Sequence, residues 1–167
     1  ILAAAYGCDA ETCDLLFQAS PMHDVGKIGI PDSILLKPGP LDAAEWKTMK
    51  THTTLGAEIL SGHDSLLIKM GGVLALTHHE KWDGSGYPQG LSEYAIPLGG
   101  RIASICDIFD ALTSKRPYKE AWPLDDALKE IRACSGAALD PELVDCFFKC
   151  LPELIHIKES FQDESRV

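Results

Sequence analysis

The chain has 167 residues, 46% of them hydrophobic, and a formal net charge of −10 with its six histidines counted as neutral. This length suits one domain with a sizeable core, and no apolar run approaches the ~20 residues of a membrane span. The negative charge argues against binding to nucleic acid, but not against a small anionic substrate, because bound divalent metals would reverse the local field.

The apolar spacing is helical almost throughout, and strand signals are too weak to support a sheet. Asp9 is predicted to cap a helix that runs towards His23. Glycine and proline in the segment 26–31 end that helix. The apolar run 28–36 is expected to be a loop packed on the core.

Asp42, followed three residues later by Glu45, forms a capping-box pattern that begins the next helix. This helix is expected to continue through Ile59, and a further helix is predicted over 65–79. The Gly- and Pro-rich segment 80–98 is too long for a simple turn, and loops of that length in compact domains are usually functional.

The segment 101–114 is apolar nearly all round, which predicts a central, buried helix. A helix over 124–134 follows, and Asp140-Pro141 opens the last clear helix as an N-cap with proline in its first turn. The charged tail after Ile157 is expected to fray. The sequence therefore predicts an all-α domain.

The six cysteines form no Cys-x-x-Cys pair, which argues against a redox motif or a zinc ribbon. Reduced thiols in a cytosolic compartment are the simpler interpretation, so we expect a cytoplasmic location. Cys106, flanked by apolar residues, is expected to pack as a small hydrophobe.

The clearest chemical signal is His78-His79-Glu80, which offers nitrogen and oxygen ligands for a metal. Asp107 and Asp110, three residues apart, share one face of a helix, and an unpaired buried carboxylate costs several kcal/mol. Alternatively, both aspartates cap loops or pair with Arg101 or Arg116. Other histidines and aspartates near helix ends favour the metal, and imidazole with carboxylate suits iron, manganese or zinc better than magnesium.

Basic residues beside these ligands are candidates for phosphate binding. Lys27 follows His23-Asp24 closely, and Arg116 and Lys119 follow the Asp107 helix. The alternatives are a solvent-facing lysine and a plain basic surface turn. Trp82 and Tyr87 form either an exposed contact surface or part of the core, and the sequence leaves both open.

Four stretches of the chain, in this order, resemble the HD-GYP family, a subgroup of the HD phosphohydrolases. They are His-Asp-Val-Gly-Lys-Ile-Gly-Ile-Pro (23–31), Lys-Thr-His-Thr-Thr-Leu-Gly-Ala (50–57), His-His-Glu-Lys-Trp-Asp-Gly-Ser-Gly-Tyr-Pro (78–88) and Asp-Ile-Phe-Asp-Ala-Leu-Thr-Ser-Lys-Arg-Pro-Tyr-Lys (107–119). The resemblance covers roughly residues 1 to 152.

The resemblance implies a bacterial, all-helical HD-domain bundle of about six or seven helices around a metal centre. It implies hydrolysis of the second messenger cyclic di-GMP to pGpG and then GMP. It also implies two divalent metals, most often iron and otherwise manganese, with zinc, nickel or magnesium as other occupants. The implied metal ligands are His23, Asp24, His52, His78, His79 and Asp107.

The resemblance assigns further roles residue by residue. Asp24 and Lys27 are expected to act in catalysis, and Lys27, Asp110, Arg116 and Lys119 to contact substrate. The loop expected to shape the site or to dock a GGDEF-domain protein contains Asp83, Gly84, Gly86, Tyr87 and Pro88.

We expect the domain to cover residues 1–157, with 158–167 as a charged tail. Family members usually carry a Glu and a His on a helix before the position of Ile1, so we expect a truncated N-terminal helix. An upstream sensory or receiver domain and a homodimer are further expectations. The alternatives are a catalytically weak module that binds a dinucleotide or a protein, and a nucleotidase acting on other phosphate esters. Histidine ligands must be neutral, so activity is expected to fall below about pH 6.

Overall fold

The computed structural model describes residues 1–114 and 120–164. Ten α-helices lie within these residues: α1 (Leu2–Tyr6), α2 (Ala10–Ala19), α3 (Asp32–Leu35), α4 (Ala43–Lys50), α5 (His52–Ile59), α6 (Leu66–Thr77), α7 (Leu98–Thr113), α8 (Leu124–Ala133), α9 (Pro141–Lys149) and α10 (Leu151–Glu164). Short 3₁₀ turns lie at Ser20–Met22, Val25–Gly29 and Glu93–Ala95. The described residues contain no strand, only an isolated bridge between Ser135 and Leu139, so the all-α prediction is confirmed.

Three helices begin at the aspartates predicted to cap them. Asp9 and Asp140 each accept a hydrogen bond from a backbone N–H in the first turn of α2 and α9, at 2.8 and 2.9 Å. At α4, Asp42 accepts from the Glu45 N–H at 2.8 Å, while Glu45 Oε2 accepts from the Asp42 N–H at 2.8 Å. These bonds pair backbone N–H groups in the first turn that have no partner within the helix. Local sequence therefore positions these three helix starts.

The helix predicted over 42–59 is instead divided into α4 and α5 at Thr51. Side chains here bond to carbonyls three residues back: Thr51 Oγ1 donates to Thr48 O at 2.7 Å, and His52 Nδ1 donates to Met49 O at 2.7 Å. Such local bonds compete with the α-helical ladder. His52 is consequently the first residue of α5, and its side chain is buried.

Two sequence expectations about the rest of the chain differ from the structure. Ten helices lie among residues 1–114 and 120–164 rather than six or seven, because α1 and α3 are short and α4 and α5 are separate. The run 28–36 is not a loop packed on the core: Ile30 is buried, but Ile28 is 84% exposed and Leu36 is 66% exposed. A 3₁₀ turn and the four-residue α3 occupy this run, and each leaves one side in solvent.

The hydrophobic core surrounds α6 and α7. Leu74 of α6, Ile105 of α7 and Phe147 of α9 are almost completely buried, and the Phe109 and Phe147 rings meet edge to face with centroids 5.1 Å apart. Helix α6 packs on α2, α5 and α7, and α1 packs on α9. The C-terminal end of α6, where the paired histidines follow, is therefore held from several sides.

Helix α7 is less enclosed than its sequence indicated. Ile102 and Ile105 are buried, but Cys106 and Asp110 are exposed and Asp107 is half-buried. The expectation that Cys106 packs in the core is thus wrong, because one face of α7 opens on a cavity. That face carries both aspartates of the predicted site.

The chain was expected to fray after Ile157, but helix α10 continues through the charged tail as far as Glu164. Lys158 Nζ donates to the carbonyl of Thr113 at the end of α7, at 2.5 Å, and lies 5.8 Å from the centre of the Phe109 ring. The predicted boundary between 157 and 158 therefore falls inside α10, and the extent of the domain stays a prediction. No helix among the described residues is long and apolar enough to cross a lipid bilayer.

Candidate metal centre

Four segments of the chain bring the six predicted metal ligands to one place. The ligands share a position at a helix end or on a helix face: His23 and Asp24 between two 3₁₀ turns, His52 at the start of α5, His78 and His79 after α6, and Asp107 on α7. Ring nitrogens of His52, His78 and His79 all lie within 4.8 Å of one another. Residues that lie far apart in the sequence therefore form a compact cluster in space.

The segment carrying His23 and Asp24 can approach α5 closely because Gly26 has no side chain. A Cβ at this position would lie 1.9 Å from His52 O and 2.4 Å from Gly56 N, both backbone atoms. Neither atom can yield without moving α5. The glycine thus holds the His23–Asp24 segment directly against the helix that supplies His52.

Asp24 lies at the centre of the cluster. Its Oδ2 lies 2.5 Å from Lys27 Nζ and 3.4 Å from His23 Nε2. Its Oδ1 lies 3.5 Å from His52 Nε2 and 3.8 Å from His78 Nε2. This second oxygen is buried and has no hydrogen-bond partner in the described structure, although buried polar atoms are nearly always paired.

The backbone fixes which ring nitrogen each histidine presents to the cluster. The Nδ1 atoms of His23, His52 and His78 lie 2.7, 2.7 and 2.9 Å from the carbonyls of Ser20, Met49 and Leu74. A carbonyl only accepts, so each Nδ1 must carry the hydrogen, and each neutral ring presents the lone pair of Nε2. The Nε2 atoms of His52 and His78 face each other at 3.4 Å, an arrangement that a cation between them would stabilise.

These residues fit a divalent metal ion. Two atoms that each bind one ion at about 2.1 Å lie about 3 to 3.5 Å apart, which is close to the separations around Asp24 Oδ1. Histidines held by a second hydrogen bond through Nδ1 are the usual form of imidazole ligands. The unpaired carboxylate oxygen and the facing lone pairs are therefore accounted for by the charge of a metal.

Burial keeps most of the histidines neutral. It lowers the pKa of His78 to about 4 and that of His79 to about 3, and it also lowers the pKa of His52. His23 differs, because its hydrogen bond with Asp24 raises its pKa. Burial opposes ionisation of Asp24, but hydrogen bonds from His23 and Lys27 and the Lys27 charge hold its pKa below the usual range. The metal-free centre thus combines an ionised carboxylate with neutral rings at His52, His78 and His79.

The cluster opens into two cavities that share Asp24 and Asp107 as walls. One, of about 400 Å³, is also lined by His23, Cys106 and Asp110. Asp110 accepts a hydrogen bond from Ser114 Oγ at 2.7 Å, and Arg101, one of its candidate partners, instead pairs with Asp140 at 2.6 Å. The structure therefore places Asp110 beside the cluster at a cavity wall.

The second cavity, of about 340 Å³, is lined by Lys27 and by His79 and Tyr87. The Tyr87 ring stacks on His79 with centroids 4.9 Å apart. Burial, with the charges of Asp107 and Asp24, raises the pKa of the Tyr87 hydroxyl, so it stays protonated. Lys27 thus lies at the site as predicted, whereas Arg116 and Lys119 lie outside the described residues.

Glu80 was grouped with the histidines as a source of ligand oxygen, but its carboxylate turns away from them. Glu80 is 2% exposed; its Oε1 accepts from the Gln89 N–H at 2.7 Å and its Oε2 from the Leu91 N–H at 3.0 Å. Gly86 packs on the same segment, where a Cβ would lie 2.3 Å from Lys81 N. Glu80 therefore organises the 80–98 loop, a role indicated only by its position at the start of that loop.

Changing Glu80 to Gln should lower the free energy of unfolding by about 1–3 kcal/mol, since an amide NH₂ would face one of the two N–H donors that the buried Glu80 carboxylate now pairs, and would leave it unpaired. Urea denaturation followed by circular dichroism measures the change. Glu58→Gln, at an exposed position on α5, is the matched control and should leave stability unchanged. Equal stability of both variants would show that the loop does not depend on the Glu80 carboxylate.

The outer side of the loop faces solvent. Asp83 and Pro88 are exposed, while Gly84, Gly86 and Tyr87 are half-buried. Trp82 meets Tyr94 edge to face at 5.1 Å. The Tyr87 ring lines the cavity wall instead of projecting outward, so the surface for a docking partner would have to come from the exposed loop positions.

A protein-family model described as HD domain matches residues 1–143 of the chain. A cyclic di-GMP phosphodiesterase of Thermotoga maritima is 51% identical over 146 residues, which cover 87% of this chain and 40% of that protein. The cyclic di-GMP phosphodiesterase response regulator RpfG of Xanthomonas campestris is 46% identical over 165 residues, covering 99% of this chain and 44% of that protein. The chain thus spans less than half the length of these relatives.

Two further similarities involve proteins of Vibrio cholerae. A 3′3′-cGAMP-specific phosphodiesterase is 46% identical over 162 residues, covering 97% of this chain and 31% of that protein. The crystal structure of a cyclic GMP-AMP specific phosphodiesterase superposes with a TM-score of 0.64 at 20% identity, covering 90% of this chain and 41% of that one. The superposition supports the same helical fold.

Proposed function

The chain belongs to the HD domain family, in its HD-GYP branch, and on this premise we propose that it is a metal-dependent phosphodiesterase that hydrolyses cyclic dinucleotides. The proposed substrate is cyclic di-GMP, opened to linear pGpG and then cleaved to GMP. The relatives named as cyclic di-GMP phosphodiesterases, at 46–51% identity, support this substrate class.

One observation carries the proposal: the buried, unpaired Oδ1 of Asp24 lies 3.5 and 3.8 Å from the Nε2 atoms of His52 and His78. We propose that His23, Asp24, His52, His78, His79 and Asp107 hold two divalent ions, iron or alternatively manganese, with zinc, nickel or magnesium as other occupants. When bound, such ions polarise a phosphate oxygen and lower the pKa of a coordinated water towards ~7. Asp24 lies near ligands from two other segments, His52 and His78, so it would help to hold the metal centre.

The chain's own residues orient the substrate and offset its charge. Lys27 Nζ touches Asp24 and its side chain is 41% exposed, so it can move between that carboxylate and a phosphate oxygen in the adjoining cavity. A positioned cation of this kind stabilises charge that develops on the phosphate during attack. We propose the same role for Arg116 and Lys119, by resemblance alone, and a supporting contact to substrate for Asp110.

A partner role for the loop is a separate proposal. Its exposed residues, Asp83 and Pro88 among them, would form the contact surface for a GGDEF-domain protein. Glu80 and the glycine packing at residue 86 hold that surface in a fixed shape. A rigid, solvent-facing loop next to the metal centre suits a partner that senses or restrains the site.

Elemental analysis of freshly purified protein, run beside an assay on cyclic di-GMP with added Fe(II) or Mn(II), tests the proposal. We expect about two metal ions per chain and linear pGpG as the first product. Bound metal without turnover of any cyclic dinucleotide would favour the alternative, a catalytically weak module that binds a dinucleotide or a protein. Protein that binds no metal under any condition would overturn the ligand assignment.

A further inference from the structure

The cavity of about 340 Å³ next to the metal centre is lined by two chemically different sets of residues. One set is Lys27 with the predicted ligands Asp24, His52, His79 and Asp107, and the other is Leu35, Leu41, Trp46, Met49 and Tyr87. Lys27 and a metal centre suit a phosphate, whereas the apolar and aromatic residues do not. A ligand that fills the whole cavity should therefore carry both an anion and a flat, apolar group.

Trp46 is the largest of the apolar residues that line the cavity. The capping box at Asp42 fixes the start of α4 one turn before this residue, so the indole is presented from a defined helix end. The Trp46 ring meets the Tyr87 ring edge to face, with centroids 6.4 Å apart and planes at 78°, yet the residue remains 47% exposed. Large aromatic side chains usually bury most of their surface, so an accessible indole face inside a cavity indicates a binding surface.

Two lysines lie close to the aromatic residues and the predicted ligands. Lys50 Nζ lies 5.5 Å from the centre of the Tyr87 ring, and Lys27, which lines the same cavity as Trp46, contacts Asp24. The chain as a whole is strongly acidic, at −10, so two lysines this close to an aromatic pair are a local exception. Aromatic rings combined with basic residues are the combination that binds bases and phosphates of nucleotides.

From these contacts we propose that Trp46 is a nucleobase platform: one purine of the cyclic dinucleotide stacks on its indole face while the attached phosphate faces Lys27 and the histidines. The proposal rests on the proposed function and specifies the part of the site that reads the base. The cavity lies at the low end of ligand pockets, about 300–1,000 Å³, so it fits one nucleotide. The second nucleotide would extend towards the cavity across Asp24 and Asp107.

Two substitutions separate stacking from simple apolar packing. Trp46→Phe keeps an aromatic face, and Trp46→Leu keeps apolar volume without one. Loss of a stacked base weakens binding roughly 5- to 150-fold, so we expect Trp46→Leu to raise KM for cyclic di-GMP by that factor with kcat nearly unchanged, and Trp46→Phe to raise it far less. Equal KM values for wild type and Trp46→Leu in active, folded enzyme would overturn the proposal.

A binding measurement tests the platform without hydrolysis. The chain has three tryptophans, so Trp82→Phe combined with Trp122→Phe leaves Trp46 as the sole indole. We expect GMP, in the presence of Mn(II), to quench its fluorescence saturably, and ribose 5-phosphate, which lacks the base, to leave it unchanged. Trp46→Phe in the otherwise native chain is the control and should show no quenching.

The two measurements distinguish failure of the subsite from failure of the proposed function. Quenching by GMP, without hydrolysis of any cyclic dinucleotide, would retain the platform and contradict the phosphodiesterase proposal. Normal hydrolysis with no quenching by GMP would contradict the platform alone. Equal quenching by GMP and ribose 5-phosphate would also overturn it, because the response would then report the phosphate and not the base.

Discussion

Asp24→Asn should remove metal from the centre and reduce kcat for cyclic di-GMP by about 10³-fold or more, a loss of about 4 kcal/mol in transition-state stabilisation. Asp24 contacts His23, Lys27 and His52, and its unpaired Oδ1 is buried among the Nε2 atoms. Asparagine has nearly the same shape but no negative charge, and its NH₂ group cannot donate a lone pair to an ion. Elemental analysis and the rate of pGpG formation measure the two effects.

Thermal unfolding separates loss of metal from loss of fold in this variant. A ligand that binds only the folded state raises the melting temperature, so added Mn(II) should raise that of wild type and leave Asp24→Asn unchanged. Asp64→Asn is the matched control, because Asp64 is fully exposed and pairs loosely with Lys69 at 3.8 Å. Normal metal content in Asp24→Asn would show that another group supplies the central negative ligand.

Local signals in the sequence were enough to place three helix starts. The caps at Asp9, Asp42 and Asp140 depend on bonds within three residues, so short-range chemistry decides them. The metal ligands were predicted from the resemblance to the HD-GYP family, and that assignment stays a prediction. The structure places these residues, from four separate segments, close together.

Features that depend on tertiary packing were not predictable in this way. The break at Thr51 comes from side-chain bonds to the backbone within a sequence that favours a continuous helix. The open face of α7 carries Asp107 and Asp110, but the many apolar residues around them indicated a helix buried on all sides. The proposed role of Trp46 could not be predicted from the sequence for a related reason. A tryptophan on a helix is usually a core residue, and only the structure shows that Trp46 lines a cavity.

The paired histidines also determine how the metal-free protein responds to acid. A free imidazole has a pKa of ~6.5, so the sequence alone suggests one transition near pH 6 for all ligands. The structure divides them: burial lowers the pKa of His78 to about 4 and that of His79 to about 3, whereas the bond to Asp24 raises that of His23. Metal binding should therefore displace a proton mainly from His23, so metal affinity should begin to fall at a pH above 6.5.

Stability of the metal-free protein should decrease as the pH falls from about 6.5 towards about 4. In this range the unfolded chain takes up protons at His78 and His79 that the folded chain does not, and each proton favours unfolding. The difference between 6.5 and about 4 at His78 corresponds to about 3 kcal/mol, and His79 adds to it. That is a large share of the roughly 5–15 kcal/mol by which proteins are stable.

Urea denaturation of chelator-treated protein at several pH values between 7.5 and 4 measures this dependence. His78→Gln removes one of the buried histidines that titrate on unfolding. The free energy of unfolding of this variant should therefore fall less steeply with pH, by up to the effect of one bound proton. His63→Gln, at an exposed histidine, is the matched control and should keep the wild-type slope. A wild-type stability that stays constant from pH 7 to pH 4.5 would contradict the burial of neutral rings, and with it the view that the fold holds these histidines ready for a metal.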